Sequence, residues 1–497
     1  MRGHLKFMGR ALVAALVVAV CVSGAWRVLT LKSFADSDNT TASFENFYEL
    51  EEDSVDVLFM GTSHVREGFV PQELYDGYGI TSYNLASSSQ SIVMTYYWLE
   101  EALETQSPKV VVLDVLNLFS DGLGCDEGQV RKALDYMRWG SAKVAAIEDV
   151  CELDESLTKI SFYLPNVRYH DRWEELTVAD FTSDEVVGVS DYHGYASMYA
   201  YGTTDEEFTP LVEGASGEVA GLGKVGGEYL DRIVGLCEEE GIELVLVKTP
   251  SAAYWTMAKH NAITAYAEEH GLDFYDLNEE DLYEELGFEF DEDSLDGQHA
   301  NFSGAIKITD YVGGLLSEEY GLEAHESAGW EESREDYEKM VDDYWLASID
   351  DVGEYLEALA EGDDRYAVFI AVEGGAGRVL GDGSLDAVQE ELGLSADWSE
   401  TYGASYIAVI DEGEVLCEEL SLEALEFTGS FQDGALLYTV SSAGSDAGNT
   451  VDIEIEGSSE DMGRGGVNIV VYSNERQCVI DSVCFQATDD GEVVALR

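Results

Sequence analysis

The sequence predicts an α/β fold, a parallel sheet wrapped by helices, followed by a separate and smaller β-rich domain. Between Val55 and Tyr320, short continuous apolar runs alternate with stretches of helical spacing, as expected for strands buried on both faces. From about Asp363 to Arg497 the texture changes to β-type runs punctuated by Gly, Asp and Asn. A chain of 497 residues, 45% of them hydrophobic and 28 of them Tyr, has material for more than one core.

At the N-terminus Arg2, His4, Lys6 and Arg10 precede an apolar run from Ala11 to Trp26, closed by Arg27 and Lys32. Basic before apolar directs the rest of the chain outward. A spanning helix typically needs ~20 residues, and Leu29 and Leu31 extend the run towards that length. The competing reading is a signal peptide cleaved near Ser23, Gly24 and Ala25. Residues 1–35 are thus a membrane anchor or a signal segment, and both place the body outside the cytoplasm.

Five runs read as strands of one sheet: VDVLFM from Val55, TSYNLA from Thr81, VVVLDV from Val110, ELVLVKTP from Glu243 and LDFYDLN from Leu272. Between them, the stretches beginning at Ser89, Gly227 and Ala252 carry helical spacing, and Gly241 and Gly271 stand where helices stop. The segment from Asp121 to Gly226 breaks the rhythm and reads as a large insertion beside the sheet, a common way to shape a substrate site. Residues 36–330 form this domain, 331–362 an acidic helical connector, and 363–497 the β-rich domain.

The formal net charge of −75, from 26 Lys+Arg against 101 Asp+Glu, argues against nucleic acid or anionic lipid as partners, since phosphate contacts need a basic face. The seven Cys show neither Cys-x-x-Cys nor zinc-ligand spacing, so no metal or other cofactor is expected. Cys417, Cys478 and Cys484 leave room for one disulfide whose pairing spacing does not fix. The acidic run Asp291 to Gly297 does not match the EF-hand pattern.

The chemistry-bearing residues lie at opposite ends of the α/β domain. Gly61-Thr62-Ser63 follows the first strand, at the carboxyl edge where such sheets bind ligands. A serine hydroxyl is a weak nucleophile without a base, and His299 is the candidate base, with Asp296 three residues before it to fix its tautomer. Asn301-Phe302-Ser303 opens a helix over Gly304 to Tyr311 that would steady this loop. The Gly-x-Ser-x-Gly elbow is absent at Ser63. Taken singly, each element also has a plain structural reading as a loop or turn residue.

GTSH after the first strand, YNLASSSQ after the second and DGQHANFSGAIKITDY near the domain end resemble the SGNH, or GDSL-like, hydrolase superfamily over about Val55 to Tyr320. The resemblance implies a flavodoxin-like three-layer fold with Ser63 as nucleophile, His299 as base and Asp296 as its orienter. Two departures concern the oxyanion donors: Ala86 stands where the family has a glycine, and Asn117 in LDVLNLF is the nearest asparagine to the family's third motif. His64 either touches substrate or caps the turn. Arg172 and Trp173 resemble a stretch of anchored bacterial relatives and either line a sugar site or are structural. Lys248 either faces the same cleft or is a plain strand-end lysine. The C-terminal runs, with Arg464 to Asn468 and Ile480-Asp481-Ser482, resemble the ILEI-type domain, which implies glycan binding.

Together these give an expected function: an extracytoplasmic serine esterase or O-acyltransferase acting on acyl esters of a cell-envelope polysaccharide, with a membrane-bound O-acyltransferase as a potential partner. The rival expectation is a non-catalytic glycan-binding surface protein with a degenerate hydrolase-like domain.

Overall fold

The computed structural model describes residues 2–29, 41–174, 176, 179–182, 192–196, 203–212, 214–362, 365–374, 377–381, 383–401, 403–431, 436–445, 447–474, 478–488 and 491–497. The chain divides into two compact units, Met1–Tyr337 and Glu338–Arg497, with the boundary inside the helix Ala328–Ala347.

The first unit is built on five strands, β1 (Val57–Gly61), β2 (Ser82–Ala86), β3 (Val110–Asp114), β4 (Glu243–Lys248) and β5 (Asp273–Asp276), all parallel and ordered β2-β1-β3-β4-β5. Every residue of β1, β2 and β3 is buried, which explains why the runs of β1 and β3 are continuously apolar, whereas β2 also buries the polar Ser82 and Asn84. β5 lies at the sheet edge and is partly exposed, so its pattern is mixed. Parallel pairing requires crossovers, and the helices Ile92–Ala102, Lys224–Glu240 and Met257–His270 fall between strands. Gly241 and Gly271 end two of them in the left-handed region, at φ 71° and 67°, where a side chain would be strained.

The strand order reverses between β1 and β3, the two neighbours whose connections run in opposite directions. In a doubly wound sheet this switch point, beyond the carboxyl ends of the strands, is where ligands bind. Ser63 follows β1 and Asp114 ends β3, so the two stand on either side of it.

On one side of the sheet the core holds Trp98, fully buried and stacked 4.5 Å from Phe44. Its indole N–H donates to the Ala133 carbonyl of the insertion, so the apolar ring is buried without an orphaned donor. The N-terminal helix runs Arg2–Leu29, longer than the expected Ala11 to Trp26. Its apolar window, Met8–Leu29, is long enough by length and composition to cross a membrane, a property a signal sequence shares.

The second unit is β-rich. β6 (Tyr366–Glu373), β7 (Ser405–Asp411), β8 (Glu414–Ser421), β13 (Gly466–Ser473), β14 (Cys478–Ala487) and β15 (Val493–Leu496) form an antiparallel sheet ordered β15-β14-β13-β6-β7-β8. A second sheet is ordered β12-β11-β10-β9, from β9 (Leu425–Phe431), β10 (Leu436–Ala443), β11 (Thr450–Ile455) and β12 (Ser458–Ser459). Strand β6 shows the period of two directly. Tyr366, Val368, Ile370 and Val372 join a cluster with the helix Val352–Gly362, whereas Ala367, Phe369 and Ala371 join Phe431, Tyr438 and Ile453 of the second sheet. Among the described residues no disulfide joins Cys417, Cys478 or Cys484, so the bridge that the sequence left open is not present.

Candidate active site

Ser63 opens a single helical turn, Ser63–Arg66, directly after β1. Thr62 is the N-cap: its hydroxyl accepts from the His64 N–H and donates to Asp114 Oδ2 at 2.7 Å. Asp114, at the end of β3, also accepts from the Leu116 N–H, so its carboxylate ties the two strand ends together beneath the serine. The approach is close because residue 61 has no side chain. A Cβ on Gly61, which sits at φ 153°, would stand 2.6 Å from Asp114 Cβ and 3.0 Å from Val65 Cγ2. Gly61→Ala is therefore expected to cost about 1–3 kcal/mol of stability, as overpacking does. It should also lower activity by displacing Thr62; urea denaturation beside a rate assay checks both.

The partner arrives from the other end of the unit. A tight loop, closed by a bridge between Ser294 and Ala300 and by the Leu295 N–H to the His299 carbonyl, carries Asp296 and His299. Asp296 Oδ1 accepts the backbone N–H groups of Gln298 and His299, which fixes the carboxylate against its own loop. The loop is fastened to the segment after β4 by the Ala252 N–H, which donates to the Gly297 carbonyl. Asn301 caps the following helix by accepting from the Gly304 N–H. That helix runs Phe302–Glu318, longer than the expected Gly304 to Tyr311.

The two ends meet. Ser63 Oγ lies 2.8 Å from His299 Nε2, and His299 Nδ1 lies 2.9 Å from Asp296 Oδ2. Burial alone would lower the His299 pKa, but the hydrogen bond to Asp296 and the charges of Glu67 and Asp296 outweigh it and raise it above the ordinary 6.5. Burial likewise works against ionised Asp296, yet the bonds and charge of His299 and the N–H of Gln298 hold it at about 2. Hence at neutral pH the carboxylate is charged and ready to stabilise an imidazolium.

Glu67 is the residue sequence reasoning missed. It caps the same turn as Ser63, is buried, takes a 2.9 Å ion pair from Arg66 Nη2, and places Oε2 3.8 Å from His299 Nδ1. The imidazole therefore faces two carboxylates. The only hint in the sequence was its position four residues after Ser63, and nothing else sets it apart from the chain's other acidic residues.

The remaining expected site residues lie elsewhere or act differently. Lys248 does not line a cleft: it is fully buried, and its Nζ contacts His64 Nδ1 at 3.2 Å and the Thr249 carbonyl at 2.9 Å. Burial pushes its pKa down to about 8, against the charges of Asp114 and Asp276, which support the ammonium. His64 is buried beside it, with Nδ1 also 3.1 Å from Thr249 Oγ1 and its ring 5.0 Å from that of His299. An ammonium only donates, so Nδ1 accepts and the proton of a neutral His64 resides on Nε2. Burial first, then the charges of Lys248 and His299, depress the His64 pKa well below 6.5 and keep it neutral. These two residues form a layer behind the serine and histidine rather than a substrate surface.

The two residues expected as oxyanion donors lie at the end of β2 and after β3. Ala86 is the last residue of β2, paired with Gly61 and fully buried. Asn117, on the turn Leu116–Phe119, donates its amide to the Gln90 carbonyl at 2.6 Å, so it holds the loop after β2. Arg172 and Trp173 are placed at the end of the N-terminal helix: Arg172 donates to the Leu29 carbonyl and pairs with buried Asp180, and Trp173 is exposed.

No protein-family model and no curated protein matches the sequence. Among solved structures, a protein of Bacteroides fragilis described as an acylhydrolase is similar at 11% identity and a TM-score of 0.28, over 57% of this chain and 97% of its own. A GDSL-like lipase of Bacteroides thetaiotaomicron is similar at 13% identity and a TM-score of 0.27, over 57% of this chain and 99% of its own.

Proposed function

We propose that the chain is a serine esterase or O-acyltransferase of the SGNH, flavodoxin-like kind, anchored outside the cytoplasm and acting on acyl esters of a cell-envelope polysaccharide. The observation that carries the chemistry is the chain of contacts Ser63 Oγ to His299 Nε2 to Asp296, made by residues 236 apart in sequence. Ser63 Oγ attacks the ester carbonyl while its proton passes to His299 Nε2, and Asp296 holds the imidazolium. The tetrahedral intermediate collapses, His299 protonates the departing alcohol oxygen, and an acyl-Ser63 ester remains. Water or a sugar hydroxyl then repeats the steps in reverse roles and restores the serine. The Ser63 backbone N–H serves the oxyanion. The anchor is the helix Arg2–Leu29, and the β-rich second unit, as an ILEI-like domain, holds glycan.

The rival, a non-catalytic glycan binder, draws its support from Asn117, whose amide is occupied. Labelling by a fluorophosphonate separates the two. The full chain is expected to react at one serine and Ser63→Ala not at all; equal labelling of both proteins discards the catalytic reading.

For a general base the neutral imidazole is the working form, so a raised His299 pKa moves the acid limb of kcat/KM to a midpoint above 6.5. Removing the charge with Glu67→Gln lowers that midpoint. A pH profile of p-nitrophenyl acetate hydrolysis by both proteins checks the direction.

A further inference from the structure

The spanning window of the N-terminal helix is exposed along its length except at its last turn, where Trp26, Val28 and Leu29 become partly buried. The elements touching that end belong to the insertion: the turns Pro165–Val167 and His170–Glu174 and the short helix Ala179–Thr182. The junction is built rather than incidental. Arg172 Nη1 donates to the Leu29 carbonyl at 2.9 Å, and Nη2 of the same guanidinium pairs at 2.9 Å with Asp180, whose side chain is only 1% exposed.

Position follows from length. A window of 22 residues at 1.5 Å per residue spans about 33 Å, against a hydrocarbon core of about 30 Å. The helix is thus used up in crossing, and its docked last turn lies at the head-group level. Whatever touches that turn lies there too.

The insertion surface there suits such a level. Leu164, Val167, Trp173 and Phe181 are large apolar side chains, from 47% exposed at Leu164 to 65% at Trp173, on the very elements that meet the helix end or beside them. Residues 164–182 hold two basic residues, Arg168 and Arg172, against the acidic Asp171, Glu174, Glu175 and Asp180, of which Asp180 is paired with Arg172.

We infer that this face of the insertion is a lipid-contact surface, with Leu164, Val167, Trp173 and Phe181 entering the boundary between head groups and acyl chains of the bilayer that the helix crosses. Tryptophan beside arginine at the end of an apolar helix is the composition that membrane interfaces favour. The inference rests on reading Arg2–Leu29 as an anchor, and goes beyond it by seating the folded body on the membrane instead of leaving it tethered at a distance.

The test uses the full chain in nanodiscs of phosphatidylcholine and phosphatidylglycerol. Val17, Trp173, Phe181 and the exposed Val219 are each replaced, one at a time, by photo-reactive benzoylphenylalanine, and lipid adducts are read by mass spectrometry. Adducts at Val17, Trp173 and Phe181 with none at Val219 are the expected result. Adducts at Val17 alone overturn the surface and leave the anchor standing, as does a yield at Val219 equal to that at Trp173 and Phe181. No adduct at Val17 removes the anchor reading, and the surface with it.

Discussion

Ser63→Ala or His299→Ala is expected to lower ester turnover by up to ~10⁶, and the double variant by scarcely more, because members of such a unit fail together. Both substitutions shorten a side chain at a part-buried position. Thermal melts should therefore stay close to those of the parent protein while activity disappears. An alanine variant at either position that retains parental kcat/KM on p-nitrophenyl acetate removes the assignment.

Asp296→Asn is expected to cost less than the ~10⁴ associated with loss of the orienting carboxylate in such a triad, settling between ~10² and ~10⁴. The reason is geometric. Asp296 is almost half exposed, and Glu67 Oε2, buried, stands 3.8 Å from the same imidazole nitrogen. With Asp296 neutralised, Glu67 keeps one negative charge beside the imidazolium. Glu67→Gln alone then has a small effect on kcat, whereas Asp296→Asn with Glu67→Gln approaches ~10⁴. Four kcat values close a double-mutant cycle, and simple additivity in it rejects the shared role.

How far the sequence reached depended on the range of the interaction being read. Strands β1, β3 and β4 were legible because a strand covered on both faces is apolar along its length, and glycines at 241 and 271 marked helix ends because only they tolerate the left-handed turn there. Ser63, Asp296 and His299 were legible as chemical types at strand and helix ends. Their meeting was an expectation that only tertiary packing could meet. What escaped depended on packing alone. Lys248 looked like any strand-end lysine, since nothing local reveals that Asp114 and Asp276 lie near enough to keep an ammonium in the core. Glu67 was one acidic residue among 101 until the fold set it against His299. For Arg172 and Trp173 the sequence left a sugar site and a structural role open; the guanidinium's partner is the last carbonyl of the N-terminal helix, more than 140 positions away in the chain.

The order of Ser63 and His299 along the chain has a consequence in time. The ribosome finishes the serine 236 residues before its base, an interval of roughly 10–50 s at ordinary elongation rates. Throughout that interval the nascent polypeptide carries an inert hydroxyl. A Ser-His-Asp arrangement built in this way is complete only when nearly the whole first unit has been made, and no translation product ending before residue 299 can form the Ser63–His299 contact.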